Sequence, residues 1–253
     1  MVEQPAPSPA STSTEDDQLL QLLSLCRAGK LYEVEHWIAQ GNPIHAPPKL
    51  RTSPLLVAID RGFHSLVELL LKSGADPLAN GNALQRAVRR RHPEIAELLI
   101  RHGMDLTSVR MREACYSGSP ELVRLFLEHG GDPPSDDAFA EALLTGNKAM
   151  LGIYRSYVAR IPSLQQQADI ALRYCCEDGR LGGVCRLLWA GANPRAKVPS
   201  LHERDRNPEV SGTPLEAAVT NGHLEIVKRI GVDPAKDDLG ELLYWAALGP
   251  APK

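Results

Sequence analysis

The 253-residue sequence predicts an all-α fold assembled from repeated pairs of short helices. Two observations lead to this expectation. Leu and Ala are plentiful, while aromatic residues make up only 5% of the chain. This balance favours packed helices over a β-sandwich, whose strands depend on aromatic and β-branched residues. The second observation is a segment pattern that returns several times along the chain, which is the signature of a repeat architecture.

Two segments show the repeated pattern most clearly. Residues 53–77 read SPLLVAIDRGFHSLVELLLKSGADP, and residues 213–234 read TPLEAAVTNGHLEIVKRIGVDP. Each segment begins with a hydroxyl residue, Pro and Leu, continues through a central Gly, and ends in Gly-x-Asp-Pro. Weaker copies occupy residues 83–105, 112–133 and 171–194.

The segment 53–77 predicts two helices joined by a tight turn. Pro54 suits the first turn of a helix, where its missing N–H group costs nothing, and apolar residues follow at positions i, i+3 and i+4. Gly62 is expected to end this helix with a positive φ angle. Apolar residues from Leu66 onward predict a second helix that Gly74 ends, and Asp76 with the following Pro opens a turn.

This pattern resembles the ankyrin repeat, whose units begin with Thr-Pro-Leu-His-x-Ala and recur at about 33 residues. The resemblance implies an ankyrin-repeat solenoid of about seven helix–turn–helix units plus a terminal helix. The terminal helix is expected over residues 239–248. The resemblance is weakest around residues 150–167, and the family's His is replaced by Leu56 and Glu216.

The sequence divides into a short tail and a long repeat domain. Residues 1–16 are rich in Pro, Ser and Thr, and we expect them to form a disordered tail. The ankyrin-repeat domain then covers residues 17–249. The two last equivalent positions, Cys175 and Ala218, are 43 residues apart, which places a long charged finger at residues 195–212. Loops on a rigid scaffold are common places for binding residues.

Composition and charge limit the classes of function. The net charge of −3 and the pI near 6.2 argue against a general nucleic-acid binder, which needs broad phosphate neutralisation. No apolar stretch approaches the roughly 20 residues that span a bilayer, and the chain does not begin with a secretion signal. The five cysteines lack paired spacing, which predicts a reducing, cytoplasmic setting.

No motif for catalysis, cofactor binding or metal binding stands out. The sequence lacks a Gly-rich phosphate loop and a nucleophile elbow, and the group Cys175, Cys176 and Cys185 lacks Cys-x-x-Cys spacing. The cysteines are expected to be structural, while His102 and His129 are expected to meet carbonyl groups at helix C-termini. We therefore expect neither an enzyme nor a bound cofactor.

The resemblance to ankyrin repeats also implies where a partner binds. In such stacks the first helices line a concave groove, and the two residues before each central Gly point into it. Applied to this chain, these positions run from basic, through apolar and aromatic, to acidic. The candidate partner-binding residues on this groove are Arg61, Arg86, Arg89, Arg90, Arg112, Tyr116, Glu177 and Asp178.

Arg91 departs from the repeat pattern because it stands where Gly62 and Gly118 stand in neighbouring units. If this position is left-handed, a residue other than Gly costs about 1–2 kcal/mol. A residue that breaks a local sequence rule without an evident structural gain is often a functional residue. We predict that Arg91 and the arginines before it contact an acidic partner; the alternative is a solvated helix face.

Three further candidates lie toward the C-terminus. Trp189 occupies a position that is normally solvated, and it either anchors a partner or packs under the long finger. His202 and Asp205 belong to the finger itself. A metal site there would need at least one more ligand from elsewhere.

The leading hypothesis is a module that binds a protein partner with an acidic patch. It would act as a scaffold, an adaptor or an inhibitory, immunity-type partner, as a monomer or as a subunit of a hetero-complex, away from membranes. The alternative is association with nucleic acid through the basic stripe 86–91, which the global charge and the missing stacking aromatics disfavour. A salt titration separates the two, because phosphate binding weakens steeply between about 50 and 200 mM salt.

Overall fold

The computed structural model describes residues 9–47, 50, 52–79, 81–130, 137–201 and 211–249. These residues form fifteen α-helices, one short 3₁₀ helix and one pair of two-residue strands. The fold is therefore an all-α repeat solenoid with almost no sheet, as the sequence predicts. None of the helices in these described ranges is long and apolar enough to cross a membrane.

The chain divides into two compact units, residues 1–129 (unit 1) and residues 130–253 (unit 2). The helices of unit 1 are α1 (Pro9–Ala28), α2 (Leu31–Ala39), α3 (Pro54–Arg61), α4 (His64–Lys72), α5 (Ala83–Arg89), α6 (Pro93–Arg101), α7 (Met111–Ser117) and α8 (Pro120–Glu128), with a 3₁₀ helix at Leu106–Ser108.

Unit 1 consists of two layers of helices. The first helices α1, α3, α5 and α7 stack on one another in that order, and the second helices α2, α4, α6 and α8 stack beside them. Each first helix also packs on the second helix of its own pair. The apolar residues between the layers form the core of the unit.

Helix α3 shows how the repeat sequence forms its helices. The Ser53 side chain accepts a hydrogen bond from the Leu56 backbone N–H group at 3.2 Å, and Pro54 follows as the first helical residue. Gly62 ends the helix with a φ of 75°. The predicted boundaries and the positive φ angle of Gly62 are confirmed.

Unit 2 repeats the arrangement with a longer insertion. Its helices are α9 (Ala138–Leu144), α10 (Lys148–Tyr157), α11 (Ser163–Glu177), α12 (Leu181–Ala190), α13 (Pro214–Thr220), α14 (Leu224–Ile230) and α15 (Leu239–Leu248). The first helices α9, α11 and α13 stack in order, and α15 packs on α13. The second helices α10, α12 and α14 form the other layer.

Helix α11 carries a buried polar network in the region where the repeat pattern is weakest. Asp169 accepts hydrogen bonds from the Asn193 backbone N–H at 2.6 Å and from Gln165 Nε2 at 2.8 Å. The Tyr154 hydroxyl donates to Gln165 Oε1 at 2.8 Å. Burial raises the pKa of Asp169 above its usual range. This network joins α10, α11 and the loop after α12.

The long finger begins and ends at a short strand pair. Strand β1 (Val198–Pro199) pairs antiparallel with β2 (Ser211–Gly212). Arg195 anchors the base of the finger, because its Nε and Nη2 atoms donate to the two carboxylate oxygens of Asp237 at 2.6 and 2.8 Å. Residues 202–210, the tip of the predicted finger, lie outside the described residues.

The structure agrees with the predicted helix at the C-terminal end of the repeat domain, whereas at the N-terminal end helix α1 begins before the predicted start of that domain. Helix α15 spans the predicted residues 239–248. Helix α1 begins at Pro9, within the predicted tail over residues 1–16, and residues 1–8 lie outside the described part of the chain. A proline is tolerated in the first turn of a helix, and the small residues that follow Pro9 do not interrupt it.

Candidate functional site

Unit 1 brings most of the predicted arginines onto one surface. They lie on the first helices α3, α5 and α7, which stack next to one another, and on the turn that follows α5. We define the basic face by these residues: Arg61, Arg86, Arg89, Arg90, Arg91, Arg112 and Tyr116. All of them are at least partly accessible to solvent.

Two carboxylates inside the basic face pair with three of its arginines. Asp60 accepts from Arg86 Nη1 and from Arg90 Nε, each at 2.8 Å. Arg89 Nε lies 3.4 Å from Glu113 Oε2. The arginine side chains remain 35–63% exposed, so solvent screens these pairs and their main effect is to orient the guanidinium groups.

Tyr116 supplies an aromatic group at the edge of the basic face. Its side chain is 52% exposed. The Arg112 guanidinium lies 5.3 Å from the centre of the Tyr116 ring, and Arg112 Nη2 lies 3.4 Å from the hydroxyl oxygen. A cation over an aromatic face is an attractive arrangement, which holds the tyrosine ring in place.

Arg91 has a φ of 61°, so the left-handed conformation expected from the repeat pattern is confirmed. Among the described residues, Arg91 is the one non-Gly residue with a positive φ. Its side chain is exposed and lies beside Arg89 and Arg90 in the chain. The residue with the strained backbone, Arg91, therefore lies within the basic face.

The neighbouring units show why glycine occupies the equivalent positions elsewhere. A methyl group at Gly29 would lie 2.8 Å from Phe63 Cζ, and one at Gly62 would lie 2.7 Å from His92 Cε1. In both cases the ring belongs to the residue that follows the equivalent position of the next unit, Gly62 for Phe63 and Arg91 for His92. Sequence reasoning missed this contact, although an aromatic residue after the central Gly is a visible signal.

At Arg91 the equivalent residue of the next unit is Ser119, which has no ring. The Ser119 hydroxyl instead caps α8, where it accepts from the Leu122 backbone N–H at 3.4 Å. Because a serine replaces the ring, the unit can hold a residue larger than glycine at position 91. The substitution is thus sterically permitted, while its backbone strain remains.

The predicted acidic residues of unit 2 take part in internal contacts. Glu177 is only 12% exposed, lies 2.9 Å from Arg173 Nε, and accepts a hydrogen bond from Ser200 Oγ at 2.9 Å. Asp178 pairs with Arg180 at 2.9 Å. The Glu177 carboxylate is thus engaged within unit 2, and its contact with a partner stays a prediction.

Trp189 lies on the surface of unit 2. Its side chain is 67% exposed, and the Arg155 guanidinium lies 4.4 Å from its ring centre. The interpretation that Trp189 packs under the finger is wrong, because an arginine of α10 stacks on it instead. His202 and Asp205, the remaining candidates, lie outside the described residues.

The surroundings of the cysteines and of His102 suit a structural role. All five cysteines are free thiols, and burial raises the pKa of Cys26 to about 12 and that of Cys175 to about 11. His102 Nδ1 lies 2.9 Å from the Leu98 carbonyl oxygen at the end of α6, which confirms its predicted place. Within the described ranges, no group of three or more potential ligands is placed to hold a metal ion.

A comparison of the sequence with known protein families finds a match over helix pairs of unit 1. Residues 20–110 match the family model described as "Ankyrin repeats (3 copies)". This stretch runs from within α1 through the 3₁₀ helix, and it includes the basic arginines of α3 and α5. No curated protein matches the chain significantly. The repeated helix pairs and this match together identify residues 20–110 as ankyrin repeats.

Proposed function

We propose that this protein binds a protein partner with an acidic surface, and that the basic face of unit 1 is the contact site. Ankyrin repeats are generally protein–protein interaction modules. The observation that carries the proposal is the grouping of six arginines and one exposed tyrosine on three adjacent helices and the turn that follows α5. Arg and Tyr are both enriched where binding energy concentrates in protein interfaces.

The charge balance of the basic face supports an acidic partner. The basic face contains six guanidinium groups together with the carboxylates of Asp60 and Glu113. It therefore carries a net charge of +4, although the net charge of the whole chain is −3. A local field of this kind guides an oppositely charged partner and disfavours basic ones. The Arg86–Asp60–Arg90 group is held by its own ion pairs, which reduces the entropy lost on binding.

The same arrangement suits a scaffold, an adaptor or an inhibitory, immunity-type protein. We propose that the chain acts as a monomer until it joins a hetero-complex. We further propose a reducing, cytoplasmic setting, which the five free thiols support.

The experiment is an affinity pull-down from lysate with identification by mass spectrometry. The test variant is Arg61→Glu/Arg89→Glu, which reverses charge on the basic face and leaves the Arg86–Asp60–Arg90 group intact. The matched control is Arg101→Glu/Arg124→Glu, which makes the same charge change at exposed positions of α6 and α8.

We expect a stoichiometric protein that binds the wild type and the control and is lost from the test variant. Capture of nucleic acid in place of protein would overturn the proposal in favour of the basic stripe as a phosphate-binding site. Equal capture by the test variant would show that the partner binds elsewhere.

A further inference from the structure

The second-layer helices α10 and α12 of unit 2 differ in charge from their counterparts. Each of the helices α2, α4, α6, α8 and α14 contains at least one Glu, whereas α10 and α12 contain no acidic residue. The acidic residues elsewhere pair along their own helix, as in the Lys72–Glu68 contact of 2.7 Å. Helices α10 and α12 pack against each other and therefore form a surface without carboxylates.

A cleft of about 710 Å³ lies between α10 and α12. Lys148, Arg155 and Arg186 supply positive charge along it, while Trp189 supplies apolar surface. In the part of the chain that the structure describes, no carboxylate forms an ion pair with any of the three cations. This contrasts with the basic face, where three arginines are paired.

Trp189 is held in an open position within this cleft. Its ring is 67% exposed and stacks against the Arg155 guanidinium at 4.4 Å from the ring centre. Gly152 also lines the cleft and has open space above it, since a methyl group there would meet nothing within 4 Å. A large exposed tryptophan that is fixed by an arginine loses little entropy when a partner covers it.

We propose that this cleft binds an acidic, apolar-containing peptide segment of a protein partner, with carboxylates on Lys148, Arg155 and Arg186 and an apolar side chain on Trp189. It is a separate contact site from the basic face, on other helices and in the other unit. Trp and Arg together are typical of the residues that contribute most binding energy at protein interfaces.

A peptide fits the cleft better than nucleic acid does. Three cations neutralise only about three phosphates, and such binding weakens strongly at physiological salt. A peptide adds contacts that do not depend on charge, because its apolar side chains can cover Trp189. The net charge of −3 for the whole chain also opposes a polyphosphate.

The test uses the full chain and a labelled synthetic peptide of mixed Glu, Asp and Leu residues. Binding is followed by the indole N–H resonance of Trp189, assigned with Trp189→Phe, and by fluorescence anisotropy. The charge-reversal variant is Arg155→Glu/Arg186→Glu, and the matched control is Lys72→Glu/Arg101→Glu on α4 and α6. A peptide with Gln and Asn in place of the acidic residues tests the need for charge.

We expect the acidic peptide to shift the Trp189 resonance and to bind the control variant like the wild type. The reversal variant should bind it at least tenfold more weakly, and so should Trp189→Ala, which keeps the chain folded because the ring is exposed. The proposal is overturned if the Trp189 resonance does not move or if the uncharged peptide binds equally well. It is also overturned if an RNA oligonucleotide or vesicles of anionic lipid bind this surface more tightly than the peptide.

We expect variants of the basic face to leave these readouts unchanged. The two proposals therefore fail independently.

Discussion

At the scale of single residues, the contact between a central glycine and the ring of the next unit predicts a measurable difference between glycines. Gly62 and Gly118 have similar φ angles of 75° and 70°. A methyl group at Gly62 would meet His92 at 2.7 Å, whereas one at Gly118 would meet nothing within 4 Å. The two positions therefore share the backbone cost and differ in the steric cost.

We expect Gly118→Ala to lower the free energy of unfolding by about 1–2 kcal/mol, the cost of a left-handed residue. Gly62→Ala should lower it by about 1 kcal/mol more, because the His92 ring must move. Urea denaturation followed by circular dichroism measures both. Equal losses for the two variants would show that the ring contact has no energetic role.

Position 91 is equivalent to Gly62 and Gly118, and there we expect a substitution to have the opposite effect on stability. Arg91→Gly removes the strain of a φ of 61°, so we expect the free energy of unfolding to rise by about 0.5–1 kcal/mol after the extra chain entropy of glycine is subtracted. If Arg91 belongs to the contact site, the same variant should bind the partner more weakly. Unchanged stability together with unchanged affinity would contradict both roles.

At the scale of helices and connections, the Arg195–Asp237 pair ties the base of the finger to the segment before α15. The Asp237 side chain is 5% exposed, and its hydrogen bond to Arg195 holds its pKa below the usual range. A carboxylate with a lowered pKa stabilises the fold above its unfolded pKa of about 3.9, and this contribution is lost as the pH falls through the folded value.

We therefore expect Asp237→Asn to lower the free energy of unfolding by about 1–2 kcal/mol at neutral pH, because the amide replaces a charged acceptor. The difference from the wild type should shrink below about pH 4, because the unfolded wild-type chain there takes up a proton at Asp237 while the folded protein does so only at lower pH. Urea denaturation at a series of pH values measures it. A difference that stays constant down to pH 3 would contradict this account of the pair.

The buried thiols of the first helices give a prediction for reactivity. The thiolate is the nucleophile, and burial raises the pKa of Cys26 to about 12 and that of Cys175 to about 11. At about pH 8 both should react slowly with iodoacetamide in the native protein and quickly in urea. Peptide mass spectrometry follows each site, and rapid native modification of Cys26 would show that α1 detaches from its neighbours.

Several elements were predictable because their information is local in the sequence. The helix pair over residues 53–77 and the terminal helix α15 follow from apolar spacing, a capping Ser, Pro54 and Gly62. The left-handed backbone of Arg91 also followed from its place in the repeat. These features need only the pattern of one unit.

Other features depend on contacts that no local pattern reveals. The network of Tyr154, Gln165 and Asp169 replaces the usual end of a unit with hydrogen bonds between three separate segments. Glu177 was predicted to face the groove, but its carboxylate accepts a hydrogen bond from Ser200 and lies beside Arg173. The cleft at α10 and α12 was visible in sequence only as two helices without acidic residues.

At the scale of the whole molecule, the two units present surfaces of positive charge on a chain that is negative overall. In unit 1 the basic face lies on the first helices, and in unit 2 the cleft lies on the second helices. Stacked helix pairs supply the layers on which both surfaces are built. We propose that both surfaces bind acidic proteins through these side chains, since the fold alone does not specify a partner.

The measurement that tests the central claim most directly is the affinity of the captured protein for the wild type, for Arg61→Glu/Arg89→Glu and for the control Arg101→Glu/Arg124→Glu, by isothermal titration calorimetry. The account predicts at least a tenfold loss of affinity, about 1.4 kcal/mol, for the basic-face variant and no change for the control. Equal affinities for all three proteins would contradict the assignment of the basic face as the contact site.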